Sequence, residues 1–187
     1  MGAMSRKVQL VILCEDTQHE AFIRRFLRET GFSTNRLRVE KAPDGRGSGA
    51  QFVRERFPRE LRTFREKRHI AQALIVMIDG DAKGLHARLK ALGDACARHG
   101  VDMRHDDESV AVFVPTWCIE TWFAYLDGET VDETRNNYPR LSRERDCKRH
   151  VDTLARMCKS GQLRDPAPPS LQAACSEFTE RLAPLGR

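Results

Sequence analysis

The sequence has no apolar run near the roughly 18–20 residues that a membrane-spanning helix needs. The 187-residue chain is therefore read without a membrane partner. It has six cysteines, at 14, 96, 118, 147, 158 and 175, but no C-x-x-C pair and no Cys/His group at zinc spacing, which excludes a structural zinc module. It has no G-K-[ST], and so no P-loop for a nucleoside triphosphate. No secretory leader stands out, and Met1-Gly2-Ala3-Met4 reads as a cloning remnant before a native start at Met4. Cys14 and Cys118 lie beside apolar strand-like residues and read as small buried hydrophobes. The expectation is a cytoplasmic protein with reduced thiols and no disulfide.

What is present is enough for one core: 40% of the residues are hydrophobic. The net charge is +5, with arginine abundant at Arg24-Arg25 and across 54–68 and 140–149. A basic balance favours a polyanionic partner, while solvated helix faces explain the same charge equally well.

Four segments read as strands: 7–14, 36–41, 73–78 and 110–114. The first is apolar on both faces, as in a central parallel strand, 73–78 is the clearest of the four, and Pro115 stops the last. Helical spacing runs over 17–30, 51–67, 83–99 and 118–126, with Pro58 positioned to kink or break the second of these. Gly31 and Gly100 read as C-caps. Beyond Asp127, polar helices around 143–158 and 170–183 flank a proline-rich stretch at 166–169. The fold class is α/β, a mostly parallel, Rossmann-like sheet flanked by helices, over residues 4–128. Residues 129–187 form a helical C-terminal extension packed on the same domain.

In such sheets ligands collect outside the carboxyl ends of the strands. The acids fall there. Glu15 follows the first strand, Asp79 and Asp81 follow the third, and Glu120 comes a few residues after the fourth, just inside a helix. Carboxylates gathered at one edge repel unless a cation or protons neutralise them. Oxygen donors alone suit Mg²⁺ or Mn²⁺. Asp16 and Thr17 read as the cap of the first helix. Trp117, Trp122, Phe123 and Tyr125 read as core packing rather than base stacking, and the loop containing Arg46 (DGRGSG, 44–49) as a flexible connection. The six histidines are scattered, and none is assigned to a site.

These segments resemble TOPRIM domains, and most closely standalone TOPRIM-like proteins of the RloB kind, related to the overcoming-lysogenization-defect nucleases. The family's strand followed by C-E-G-x-x-T-E is similar to Cys14-Glu15-Asp16-Thr17-Gln18-His19-Glu20. Its D-x-D after a hydrophobic strand is similar to Asp79-Gly80-Asp81, and its helix-opening Pro…Glu-x-Trp to Pro115 through Glu120-Thr121-Trp122. Order and spacing agree over most of 7–126. Asp16 stands where the family has Gly, and His19 where it has Thr.

The resemblance implies a TOPRIM-like fold and a Mg²⁺- or Mn²⁺-dependent nuclease cutting DNA or RNA. Glu15, Glu20, Asp79, Asp81 and Glu120 would be metal ligands. Glu15 would alternatively be the general base, and Lys148 or Lys83 would neutralise phosphate charge. It further implies an effector in an anti-phage or restriction-linked system beside an ABC- or SMC-type ATPase, with homo-oligomerisation open. The alternative is a catalytically weak regulatory subunit that binds metal or nucleotide and controls that ATPase. Topoisomerase chemistry would need a tyrosine-bearing domain for which the chain, with only Tyr125 and Tyr138, has no room.

Overall fold

The computed structural model describes residues 7–45 and 47–186. The expected start at Met4, the preceding remnant and Arg46 lie outside the described residues. Four parallel strands form the sheet: β1 (Gln9–Cys14), β2 (Leu37–Lys41), β3 (Gln72–Met77) and β4 (Val110–Phe113), in the order β2-β1-β3-β4. Four helices interleave with them: α1 (Thr17–Glu29), α2 (Gly49–Glu66), α3 (Gly84–Arg98) and α4 (Glu120–Leu126). After a 3₁₀ turn at Glu144–Cys147 come α5 (Lys148–Ser160) and α6 (Pro169–Glu177).

Strand alternation divides the core in two. Leu10, Ile12 and Cys14 of β1, Ala73, Ile75 and Met77 of β3, and Ala111 and Phe113 of β4 point to one face. There they meet Phe22, Ile23 and Phe26 of α1, Trp122 of α4, Val151 and Leu154 of α5, and Leu171 of α6. Leu74 and Val76 of β3, with Val110 and Val112 of β4, point the other way onto Val53, Phe57 and Leu61 of α2 and Leu92 of α3. The C-terminal helices thus share a core with the sheet: Phe178, just past α6, packs edge-on to Phe26 at 5.1 Å between centroids. The exposed side of β4 is closed by Glu177, whose carboxylate accepts from the Val112 amide at 2.8 Å, so this edge is not open for pairing. Trp122, Phe123 and Tyr125 are buried, as expected, whereas Trp117 is only half-buried.

The helix 49–66 is not broken at Pro58. The ring is buried beside Phe57 and Leu61, and that apolar burial offsets the missing backbone hydrogen bond. The cysteines are not all reduced: Cys158, near the end of α5, is bonded to Cys175 of α6, with 5.2 Å between their Cα atoms. Two helix positions 17 residues apart carry no local pairing signature, and only the packing of α5 on α6 brings them together. Cys14, Cys96, Cys118 and Cys147 are free thiols. Among the described residues no helix is long and apolar enough to cross a membrane.

Candidate functional site at the carboxyl edge of the sheet

β1 and β3 pair in register to their ends, with Cys14 opposite Met77. Each strand therefore delivers its first polar residue to the same edge. Glu15 Oε1 accepts from the Asp79 amide at 2.6 Å. On its other side Glu15 lies against Gly49, the first residue of α2: a Cβ there would fall 2.7 Å from Glu15 Cβ and 2.9 Å from its Oε2. Absence of a side chain at 49 is what lets Glu15 lie flat.

Beyond Asp79 the chain stays tied to the β4 side. The Gly80 amide donates to Pro115 O at 2.7 Å, and Asp81 and Trp117 exchange amide-to-carbonyl bonds at 3.1 Å each way. Both partners of that bridge are left-handed, with φ of +47° at Asp81 and +61° at Trp117. Each costs on the order of 1–2 kcal/mol for a residue with a side chain. The twist also turns the Asp81 carboxylate away. It pairs with Arg88 of α3, whose Nε donates to the Asp79 carbonyl at 2.6 Å. Arg88 is buried.

His19 is the residue the sequence reading passed over. It is buried on the core face of α1, and its Nε2 lies 3.0 Å from Asp79 Oδ1. Its Nδ1 is buried with no hydrogen-bond partner among the described residues. Burial alone would lower its pKa. Asp79, then Asp16 and Glu15, outweigh that and raise it to about 9. Burial, then the Asp79 charge, raise Glu15 to about 7. Burial also raises Asp79, against the pull of His19, with Asp16 and Glu120 adding to the rise. Burial and the neighbouring acids thus favour the protonated forms of Glu15, Asp79 and His19.

Asp79 and His19 open onto a cleft of about 240 Å³, lined also by Asp16, Gln18, Cys118, Glu120 and the 140–144 segment. Glu120 begins α4, largely buried, with the exposed Arg140 at 3.7 Å. The Cys118 thiol is pushed up to about 12 by burial, then by Glu120 and Asp79, which opposes thiolate formation at neutral pH.

No family model, no curated protein and no solved structure matches this chain.

Of the acids expected at the site, the fold sets Glu15 against the Asp79 amide and places Asp79 and Glu120 in the cleft, whose lining does not include Glu15; it adds Asp16, which also caps α1 by accepting from the His19 amide. Asp81 is turned to Arg88. Glu20 faces elsewhere, held by Arg24 at 2.8 Å and Lys41 at 3.1 Å. Burial opposes ionisation of Glu20, but those two cations win and lower its pKa. Lys148 does not line the cleft; it lies in a separate groove with Arg24 and Arg25. Lys83 is exposed just before α3.

In donor chemistry the cleft fits a hard divalent ion, since its carboxylate oxygens are what Mg²⁺ or Mn²⁺ prefers. In arrangement it falls short: among the described residues no three Asp, Glu, His or Cys side chains converge as a ligand set. Glu15 is spent on the Asp79 amide, one Asp79 oxygen on His19, and Asp81 on Arg88.

Both missed partners left a trace in the sequence. His19 falls at the spacing of Phe22, Ile23 and Phe26, and Arg88 at that of Leu85 and Leu92. A charged or titratable residue on an apolar stripe is buried and needs a partner.

Proposed function

We propose that this chain is a TOPRIM-like nuclease subunit that cuts the phosphodiester backbone of DNA or RNA, working beside an ABC- or SMC-type ATPase. One observation carries the reading: two adjacent central strands are each followed by a carboxylate residue, the Glu15 carboxylate accepting from the Asp79 backbone amide, and Asp79 and Glu120 line one cleft. The resemblance of 14–20, 79–81 and 115–122 to TOPRIM segments supports it. Asp79 and Glu120 would be the residues to hold a divalent ion, which would supply charge neutralisation at the phosphate. The chain's own residues do the rest. His19 fixes the orientation of Asp79. Glu15, with its pKa near 7, takes a proton from the attacking water once it is released from the Asp79 amide.

The experiment is end-labelled DNA and RNA incubated with the full chain and Mg²⁺ or Mn²⁺, with Asp79→Ala as the comparison. Cutting that needs the ion and is lost in the variant is expected; undiminished cutting by a folded Asp79→Ala variant overturns the mechanism.

The pairing of Asp81 with Arg88 and of Glu15 with the Asp79 amide favours a second reading. Acids already satisfied internally suit a regulatory subunit that binds metal or nucleotide at this edge and controls its ATPase. No cutting under any condition, with a changed ATPase rate in a co-purified partner, selects it.

A further inference from the structure

Along α1, Ala21, Arg24, Arg25 and Arg28 recur at i, i+3, i+4 and i+7, a single helical stripe. At ~100° per residue it lies opposite the His19, Phe22, Ile23 and Phe26 face that enters the core. The stripe forms one wall of a groove of about 460 Å³, and Arg145 and Lys148, at the start of α5, form the other. Five cations line this groove. The acids that answer them are few. Glu20 holds Arg24, and Glu29 and Asp152 hold Arg25 at 3.1 and 3.2 Å. Asp146, the one acid in the lining, is taken by Arg143 at 3.1 Å. Arg28, Arg145 and Lys148 are exposed and make no ion pair among the described residues.

The groove adjoins the acidic cleft. Gln18 and His19 line the cleft, and the next turns of α1 line the groove. The 3₁₀ turn divides them: Glu144 faces the cleft, and Arg145 and Cys147 face the groove. The Gln18 amide donates to the Glu144 carbonyl at 3.3 Å, fixing that boundary.

We propose that the α1–α5 groove binds the phosphate backbone of a nucleic-acid strand and leads it to the cleft, with Lys148 a phosphate-contacting residue rather than a member of the acid site. This rests on the nucleic-acid reading above. Cations on a concave surface, three of them unpaired, are the footprint of backbone binding. The four acids of the cleft face only two arginines, Arg140 and Arg143, in its lining, so a strand needs further cationic contacts close beside it.

The test is fluorescence anisotropy with a labelled 20-nucleotide single strand and a 20-base-pair duplex, in EDTA so that cutting plays no part. The Arg28→Ala/Arg145→Ala/Lys148→Ala variant should bind the duplex about tenfold or more weakly, and the slope of log K against log salt should flatten by about 3. A charge-matched control, Arg59→Ala/Lys67→Ala/Arg98→Ala, removes three exposed cations associated with α2 and α3 and should leave binding nearly unchanged. Equal weakening by both variants overturns the proposal, because net charge alone then explains binding. No nucleic-acid binding by the wild-type chain also overturns it, as does binding of labelled polyglutamate alone in a groove-dependent way, which assigns the groove to an acidic protein. A chain that binds through the groove yet never cuts refutes the nuclease reading and keeps this one.

Discussion

The contact between Gly49 and Glu15 gives a sharp prediction, because two helical glycines in this chain should answer the same substitution in opposite directions. Gly93 lies inside α3 with nothing within 4 Å of a built Cβ. Neither glycine has a positive φ, so alanine strains neither backbone. Gly93→Ala should therefore stabilise by about 0.5–1 kcal/mol, the ordinary helix-propensity gain. At Gly49 the new methyl would stand 2.7 Å from Glu15 Cβ and 3.2 Å from its carbonyl oxygen. Neither atom is the free end of a flexible chain, so α2 or the end of β1 must move, at a cost of about 1–3 kcal/mol. The two variants should differ by about 2–4 kcal/mol, or roughly 5–15 °C in Tm for a chain of this size. Urea unfolding followed by circular dichroism, with m unchanged, measures the gap. Gly49→Ala should also weaken any activity, because shifting Glu15 breaks its bond to the Asp79 amide. Equal stabilisation by both substitutions would refute the packing of Glu15 on α2 and, with it, the geometry of the site.

Two further predictions concern the same framework. His19 and Glu15 both carry folded-state pKa values above their ordinary ones, about 9 and about 7. Their contributions are therefore full below about 6.5 and about 4.5 and fade as pH rises through the folded values, on the order of 3 kcal/mol each. Stability should fall between pH 4.5 and 9, and the His19 imidazole should still be protonated at pH 8 by NMR; a midpoint at or below 6.5 would sink this account. Cys175→Ser opens the covalent link across a separation of 17 residues and should cost about 3 kcal/mol, measured against the oxidised wild type; an unchanged unfolding midpoint, with no thiols freed on reduction, would show the bond to be absent in solution.

The parts of the fold that depend on local pattern could be read directly from the chain. β1, β3 and β4 were legible because strands covered on both faces read as near-continuous apolar runs, as at 10–14, 73–78 and 110–114. The placement of Glu15, Asp79 and Glu120 followed from the rule for parallel sheets. What stayed hidden depends on partners far apart in the chain. Asp79 meets a histidine 60 residues earlier, and Cys158 finds Cys175 only across a helix pair. Asp81 turned out of the cluster through one left-handed residue, a conformation that aspartate tolerates but does not announce. Lys148 could not be assigned by spacing, because its position depends on how α5 packs beside α1.

Helix α1 accounts for much of the charge layout. Asp16 and His19 begin it at the acid cleft, the Phe22–Phe26 stripe fixes its rotation in the core, and the arginine stripe follows on the outer face. Its rotation is set by burial, since turning it by one residue, ~100°, would expose Phe22 and Phe26. The core contacts therefore also set where the arginines point. Separating most of the two signs this way limits direct cancellation. Arg140 lines the cleft and lies 3.7 Å from Glu120, but among the described residues no arginine pairs with the Asp79 carboxylate, whose pKa is raised chiefly by burial. A strand held in the groove would bring its phosphates past that edge. The same helix would then serve as both floor of the reactive site and wall of the binding track.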